Sequence, residues 1–216
     1  MFPRIKICCI SSIEEAQTAI QYGAAAVGLV GPMPSGPGII SNETIAAIAA
    51  TIPPAISSFL LTSETTPNNI IQHHQLVHTN TIQIVDALSE GTYQQIKLAL
   101  PSVKIVQVIH VINEQSVEEA LQIAEQVDAL LLDSGNPNLN IKVLGGTGKT
   151  HNWNLSKQIV NQTRIPVFLA GGINTENVRA AIDTVQPFGI DLCSSVRTNQ
   201  QLDRQKLAAF FKAVYA

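Results

Sequence analysis

The sequence predicts an α/β fold, a single (β/α)8 barrel (TIM barrel) covering residues 1–216, and three observations support this fold class. Short β-branched apolar runs alternate with longer segments of helical periodicity, which is typical of repeated βα units around a parallel sheet. There are eight such runs, whereas an open doubly wound sheet usually stops at five or six strands. No linker divides the chain, so we expect one domain.

Each apolar run is short enough to be a strand, and a helical segment or a turn separates it from the next. The predicted strands are 4–10 (RIKICCI), 25–30 (AAVGLV), 55–61 (AISSFLL), 81–86 (TIQIVD), 103–109 (VKIVQVI), 128–133 (DALLLD), 165–171 (IPVFLAG) and 188–194 (FGIDLCS). Helices are clearest at 12–23 (SIEEAQTAIQYG) and 116–126 (SVEEALQIAEQ), where apolar residues recur on one face.

Composition excludes several function classes. Charged residues make up 13% of the chain, the net charge is −3, and Lys and Arg are scattered, so we expect no nucleic-acid partner. No apolar run approaches the ~18 residues of a membrane span, and no leader pattern precedes the first strand. We therefore expect a cytoplasmic protein without a membrane partner. Three cysteines, Cys8, Cys9 and Cys193, lack the spacing of a disulfide framework or a zinc site, which predicts reduced thiols.

Two motifs carry alternatives. The segment GGTGKT (145–150) ends like a phosphate-binding P-loop, but Val143 stands where the first glycine is needed and no strand leads into it. It lies in a loop of about 19 residues, 134–152, a length typical of an active-site lid. His73, His74 and His78 suggest a metal site, but without an acidic or cysteine partner at suitable spacing they predict a solvated helix face and no metal.

Active sites of this fold lie at the carboxyl ends of the strands. Alternation places Lys6 and Cys8 on the inner face of the first strand. Asp133 ends the sixth strand, and Gly171 and Gly172 end the seventh before a helix start that suits an anion. Three alternatives stay open: a cysteine here is often inert core, the aspartate is equally suited to capping a loop, and the glycines are compatible with a simple turn.

The motifs KICCIS, LLLDS, GGTGKTHNW and LAGGINTENVRAAIDTVQPFGIDLCSSV occur in this order and together resemble the phosphoribosylanthranilate isomerase family of tryptophan biosynthesis. The similarity spans nearly the whole chain and is strongest over 128–196. It implies an Amadori rearrangement of N-(5-phosphoribosyl)anthranilate without a cofactor or metal. It further implies a lid that closes over a phosphosugar rather than over a nucleotide.

The resemblance also implies roles for individual residues. Cys8 stands at the position of the family's general base and Asp133 at that of its general acid, and Lys6 is placed to lower the pKa of the Cys8 thiol. The partner is a small phosphosugar, and the chain is a monomer or a homodimer. The residues assigned to substrate or phosphate binding are Lys6, Gly145, Gly146, Gly148, Lys149, Gly171, Gly172, Asn174, Asp191, Ser194 and Ser195.

Several positions depart from the family pattern. Cys9 replaces the glycine of KICGIT, and we expect it to point towards the helix layer. Gly38 replaces an arginine thought to bind the anthranilate carboxylate, and we expect Lys149 or Arg197 to compensate. A His-Gly pair after strand 4 and a glycine of the SSGVE turn are also absent. The alternative function is therefore a diverged barrel that acts on, or only binds, another phosphorylated sugar-like ligand.

Overall fold

A computed structural model of the protein describes residues 2–34, 36–135 and 150–216. Eight parallel strands form a closed barrel in chain order, and the barrel closes where β8 pairs with β1. The strands are β1 (Arg4–Ile7), β2 (Ala26–Val30), β3 (Ser57–Thr62), β4 (Thr81–Ile84), β5 (Lys104–His110), β6 (Ala129–Asp133), β7 (Val167–Leu169) and β8 (Gly189–Leu192). The predicted (β/α)8 fold and all eight predicted strands are thus confirmed, although the strands end earlier than predicted at several positions.

Helices follow the strands around the outside of the barrel. They are α1 (Ile13–Gln21), α2 (Asn42–Ala49), α3 (Pro67–Val77), α4 (Tyr93–Ala99), α5 (Glu114–Ala124), α6 (Trp153–Gln162), α7 (Val178–Val185) and α8 (Arg204–Tyr215). A short 3-10 helix (Ser194–Val196) and a two-stranded hairpin, β9 (Arg197–Thr198) and β10 (Gln201–Leu202), lie between β8 and α8. Polar residues cap the helix starts: Ser12 accepts from the Glu15 N–H and Asp203 from the Gln205 and Lys206 N–H groups.

Alternation along the strands separates two apolar clusters. The outer cluster fills the layer between strands and helices and includes Ile5 and Ile7 of β1. The inner cluster fills the barrel and includes Phe59 and Phe168, whose rings pack edge to face at 5.8 Å. The inner cluster therefore forms the floor on which the mouth of the barrel rests.

The histidines of α3 are not a solvated face, which corrects the prediction. The His73 ring is buried between the Thr62 hydroxyl (2.9 Å) and the Asn42 amide oxygen (3.0 Å), and His74 Nε2 lies 2.6 Å from the Thr79 carbonyl oxygen. Burial lowers the pKa of both rings. They fasten α3 to its neighbours, a contact that their sequence spacing did not reveal.

The chain leaves the strand conformation directly after β1. The Cys8 N–H still donates to the Leu192 carbonyl at 2.8 Å and continues the ladder with β8. Cys9, however, has a φ of +62° in the left-handed region. Simple alternation fails at this residue, and Cys9 belongs to the inner cluster with Cys8 rather than to the helix layer. The predicted outward direction of Cys9 is wrong for this reason.

Candidate active site

A cavity opens at the carboxyl ends of the barrel strands. Among the predicted site residues, its wall contains Cys8, Asp133, Gly171, Gly172, Asp191, Ser194 and Ser195. Residues from β1, β6, β7 and β8 that are far apart in sequence are thus brought to one mouth. Apolar side chains from the other strands, including Leu61, Val85 and Val108, complete the floor.

Lys6 and Asp191 form a buried ion pair beneath this mouth. The two residues are register partners on β1 and β8, and Lys6 Nζ lies 2.8 Å from Asp191 Oδ1. Lys6 is fully buried and lies 5.1 Å above the Phe59 ring centroid. Although burial opposes its charge, Asp191 and Cys8 raise the pKa of Lys6, so the ammonium stays charged. The pair places a fixed positive group beside Cys8.

The Cys8 thiol is buried, and burial raises its pKa to about 11 although Lys6 acts in the opposite direction. Lys6 therefore moderates the thiol pKa, as predicted, but does not bring it below its ordinary value. Gly28 of β2 makes room for both side chains, because a Cβ there would lie 2.8 Å from Cys8 Sγ and 3.0 Å from Lys6 Nζ. Sequence analysis missed Gly28, which signals its role only by standing as a glycine inside a buried apolar strand.

Asp133 lies at the last position of β6 and is buried. Burial raises the pKa of its carboxyl to about 6, and Asp191 adds to this effect, while the Ser134 N–H, which donates to Oδ1 at 2.7 Å, opposes it. A carboxyl with this pKa exchanges a proton near neutral pH, which suits a general acid. Ser134 in turn packs against Gly171, where a Cβ would come within 2.7 Å of the serine Oγ.

The turns after β7 and β8 offer backbone donors to an anion. Gly171 and Gly172 have φ values of +79° and +65°, which glycine adopts without a Cβ penalty. Among the described residues, the N–H groups of Gly171, Gly172, Ser194 and Ser195 have no hydrogen-bond acceptor. The buried Ser195 Oγ also has no partner there. Such convergent donors form a concave site for a phosphate.

Asn174 does not line this cavity but shapes the turn that leads into α7. Its side-chain oxygen accepts from the N–H groups of Glu176 (2.8 Å) and Asn177 (3.2 Å), and helical hydrogen bonding begins with Val178 N–H to the Asn174 carbonyl. Among the described residues, its contacts are therefore with the turn that follows the glycines.

Gln83 is a cavity residue whose role the sequence did not suggest. It lies on β4, is only 3% exposed, and its Oε1 has no partner within the described residues. A buried amide oxygen without a partner costs free energy unless a ligand or water satisfies it. It is therefore placed to accept a hydrogen bond from a ligand hydroxyl.

Cys9 and Cys193 are joined by a disulfide across the ends of β1 and β8. The prediction of reduced thiols is therefore wrong for these two residues, while Cys8 is a free thiol. Separation by 184 residues conceals the pairing in the sequence, since barrel closure alone brings the two strand ends together. The disulfide lies in the wall of the mouth, between Cys8 and Ser194.

Arg197 does not offer a free charge to the mouth. Its guanidinium pairs with Glu15 at 3.0 Å, donates to the Gln200 carbonyl at 2.7 Å, and also donates to the carbonyls of Cys8 and Cys9. It holds the end of β1 to the β9–β10 hairpin. The other predicted compensating cation, Lys149, lies outside the described residues together with the lid glycines Gly145, Gly146 and Gly148.

The described residues contain no cluster of three or more His, Cys, Asp and Glu side chains that could hold a metal ion. In the same part of the chain, no helix has both the length and the apolar character that a bilayer crossing requires.

Comparisons with known proteins agree with this site. The family model described as N-(5'-phosphoribosyl)anthranilate isomerase matches residues 5–213. The chain belongs to this family. The isomerase of Methanocella arvoryzae is 30% identical over 208 residues, covering 96% of this chain and 95% of the relative. That of Methanosarcina acetivorans is 33% identical over 224 residues, covering 98% and 92%.

Solved structures of the family have the same fold. The phosphoribosylanthranilate isomerase of Thermotoga maritima superimposes with a TM-score of 0.82 at 30% identity, covering 99% of this chain and 98% of the other. A second isomerase structure, solved with reduced 1-(o-carboxyphenylamino)-1-deoxyribulose 5-phosphate, has a TM-score of 0.79 at 28% identity with the same coverage. The resemblance seen in the sequence motifs is thereby confirmed.

Proposed function

We propose that this chain isomerises N-(5-phosphoribosyl)anthranilate to 1-(2-carboxyphenylamino)-1-deoxyribulose 5-phosphate in tryptophan biosynthesis, with Cys8 as base and Asp133 as acid. One observation carries the proposal. A carboxyl that titrates near neutral pH and a thiol beside a fixed ammonium line one cavity, and unpaired backbone donors suited to a phosphate lie at its edge.

The first step is ring opening. Protonated Asp133 donates its proton to the furanose ring oxygen, the bond from this oxygen to C1′ breaks, and the nitrogen lone pair forms a protonated imine with C1′. The raised pKa of Asp133 supports this role, because part of the carboxyl population carries a proton at neutral pH. The phosphate is held meanwhile by the turns of Gly171, Gly172, Ser194 and Ser195.

The second step removes the C2′ proton. Cys8 acts as thiolate, and the electrons of the C2′–H bond form a C1′–C2′ double bond while those of the imine return to nitrogen. Burial disfavours the thiolate in the free site, but the positive imine formed in the first step favours it, as does the Lys6 ammonium. The resulting enolamine tautomerises to the ketone by losing the 2′-hydroxyl proton and gaining one at C1′. No atom or electron is gained or lost overall.

The remaining assignments are also proposals. The lid residues Gly145, Gly146, Gly148 and Lys149 cover the phosphosugar, Asn174 supports the phosphate turn, and Asp191 fixes Lys6. The enzyme acts without a cofactor as a single-domain monomer or homodimer in the cytoplasm. A dimeric isomerase structure of Thermotoga maritima, 28% identical with a TM-score of 0.81, supports the homodimer option.

Growth of a tryptophan auxotroph that lacks this isomerase tests the proposal. We expect the wild-type chain to restore growth on medium without tryptophan, and the Cys8→Ser variant, expressed at the same level, to fail. Purified protein should convert substrate generated in situ to the ketose product, measured by mass spectrometry. Wild-type protein that is folded but inactive in both assays would exclude the activity.

The diverged phosphosugar barrel is the alternative, and the replacement of a cation by Gly38 favours it. The same experiment separates the two functions. A chain that binds a phosphosugar at the β7 and β8 turns in calorimetry, but neither restores growth nor turns over substrate, is the diverged form.

A further inference from the structure

Gly38 and Cys9 compete for the same space at the edge of the mouth. Gly38 has a φ of +74°, and a Cβ at this position would lie 2.5 Å from Cys9 Cβ, 3.0 Å from its Cα and 3.2 Å from its Sγ. These distances are too short for a real side chain, and two of the three atoms cannot rotate away. While residue 9 is a cysteine, residue 38 must therefore be a glycine.

The conformation of Cys9 shows the reverse dependence. Its φ of +62° lies in the left-handed region, which a glycine would occupy without a Cβ penalty. The Cβ of Cys9 instead fills the space beside Gly38, and the disulfide to Cys193 holds it there. The two residues thus act as one unit that puts bulk on β1 and none on the loop after β2.

This unit determines which charges face the substrate. A second cavity next to the main one is lined by Gly38, Ile39, Ile40 and the disulfide. Arg197 is the only Lys or Arg among the described residues that line either cavity, and Glu15 already neutralises it at 3.0 Å. Within the described structure, this side of the mouth presents apolar and sulfur surface without a free cation.

We propose that Cys9 and Gly38 together determine the amine specificity of the site, which rests on the isomerase activity proposed above. The aryl group of a phosphoribosyl arylamine packs against the disulfide and the Ile39–Ile40 loop. Its carboxylate stays hydrated at the rim, since burial without a partner costs several kcal/mol. The substrate class is therefore N-phosphoribosyl arylamines with or without an ortho carboxylate.

The test compares N-(5-phosphoribosyl)anthranilate with N-(5-phosphoribosyl)aniline, each formed in situ from ribose 5-phosphate and the amine. We expect the wild-type kcat/KM values to differ by less than about tenfold, because a solvent-exposed charge contact contributes little. A preference for the anthranilate substrate of more than about tenfold would overturn the proposal, and a Lys149→Met variant would then show whether that lysine binds the carboxylate.

The double variant Cys9→Gly/Gly38→Arg provides the second arm. Removal of the Cys9 side chain frees the space that a side chain at position 38 would enter, and the new Arg then extends towards the mouth. We expect the preference for anthranilate to rise about tenfold or more over wild type, since a charge-assisted hydrogen bond contributes this much. A folded double variant with no gain in preference contradicts the proposal.

Three single variants complete the cycle. Gly38→Arg alone should lower the unfolding temperature, because Cys9 blocks the new side chain. Cys9→Gly alone should gain no preference, and Cys193→Ala separates loss of the disulfide from loss of the Cys9 side chain. A Cys193→Ala protein that becomes as selective as the double variant would show that the disulfide alone determines specificity. Wild-type protein that turns over neither substrate overturns the isomerase activity itself, and the inference with it.

Discussion

The inner face of the barrel and the layer outside it are built by alternate residues of the same strands, yet they differ sharply in composition. On β1, Ile5 and Ile7 are buried among apolar side chains of the outer layer. Lys6, between them, is equally buried but faces inward to an ion pair with Asp191. Inward positions at the mouth also include Cys8 and Asp133.

The difference separates stability from function. Each apolar side chain in the outer layer contributes about 1.5 to 3 kcal/mol by leaving water. The inner groups carry charge or unsatisfied polar atoms in a buried site, where the raised pKa of Asp133 and the unpaired Gln83 oxygen record a cost to the fold. The outer layer must therefore offset what the inner face loses.

Adjacent substitutions on β1 should show the largest contrast. Cys8→Ser should lower kcat by about 100-fold or more, the range of a positioned acid or base, with little change in the free energy of unfolding. Ile7→Ala should lower that free energy by about 2 to 5 kcal/mol and leave kcat per folded molecule within a few-fold of wild type. Steady-state kinetics and urea unfolding measure both. Equal kinetic losses in the two variants would break the distinction between the layers.

Asp133→Asn should abolish turnover but stabilise the protein. In the folded state the pKa of Asp133 rises from 3.8 to about 6, so its stability contribution is complete below the unfolded value and lost as pH rises through the folded value. At neutral pH this loss is about 3 kcal/mol at most. We expect Asn to recover about 1 to 3 kcal/mol at pH 7.5 and almost nothing near pH 3.5, measured by urea unfolding at each pH. A constant difference across pH would remove the cost assigned to the carboxylate.

The pH dependence of kcat/KM sharpens the same contrast. Catalysis needs protonated Asp133, with a pKa of about 6, and ionised Cys8, with a pKa of about 11. Between these values the loss of the acid and the gain of the thiolate compensate, so we expect a plateau. Below about pH 6 the thiolate alone declines, and the rate should fall about tenfold per pH unit. A narrow maximum near pH 7 would contradict these ionisations.

Two left-handed glycines provide the smallest contrast. Gly172→Val should raise KM for the phosphosugar about tenfold, because its Cβ crowds the phosphate turn and its φ of +65° strains the backbone. Gly23→Val, with a φ of +106° beside Phe211, adds similar strain far from the mouth. It should lower the unfolding temperature without changing KM. A similar KM effect in both variants would show that strain, not the anion site, is responsible.

The sequence by itself determined the fold and most of the site. Eight β-branched runs separated by helical segments specify the barrel, because periodicity is a local property of the chain. The strand-end rule then brings Cys8 and Asp133 to one mouth, where they and most of the assigned phosphate residues are found. The lid assignments fall outside the described residues and stay predictions.

Only the tertiary structure decided how closely these residues approach one another. Barrel closure pairs Cys9 with Cys193 and binds Arg197 to Glu15, and the left-handed turn at Cys9 directs its side chain against Gly38. Alternation predicted the opposite direction for Cys9, because it assumes a regular strand where the chain has already turned. Such contacts join residues more than 180 positions apart or depend on a single backbone angle, and neither leaves a periodic signal in the sequence.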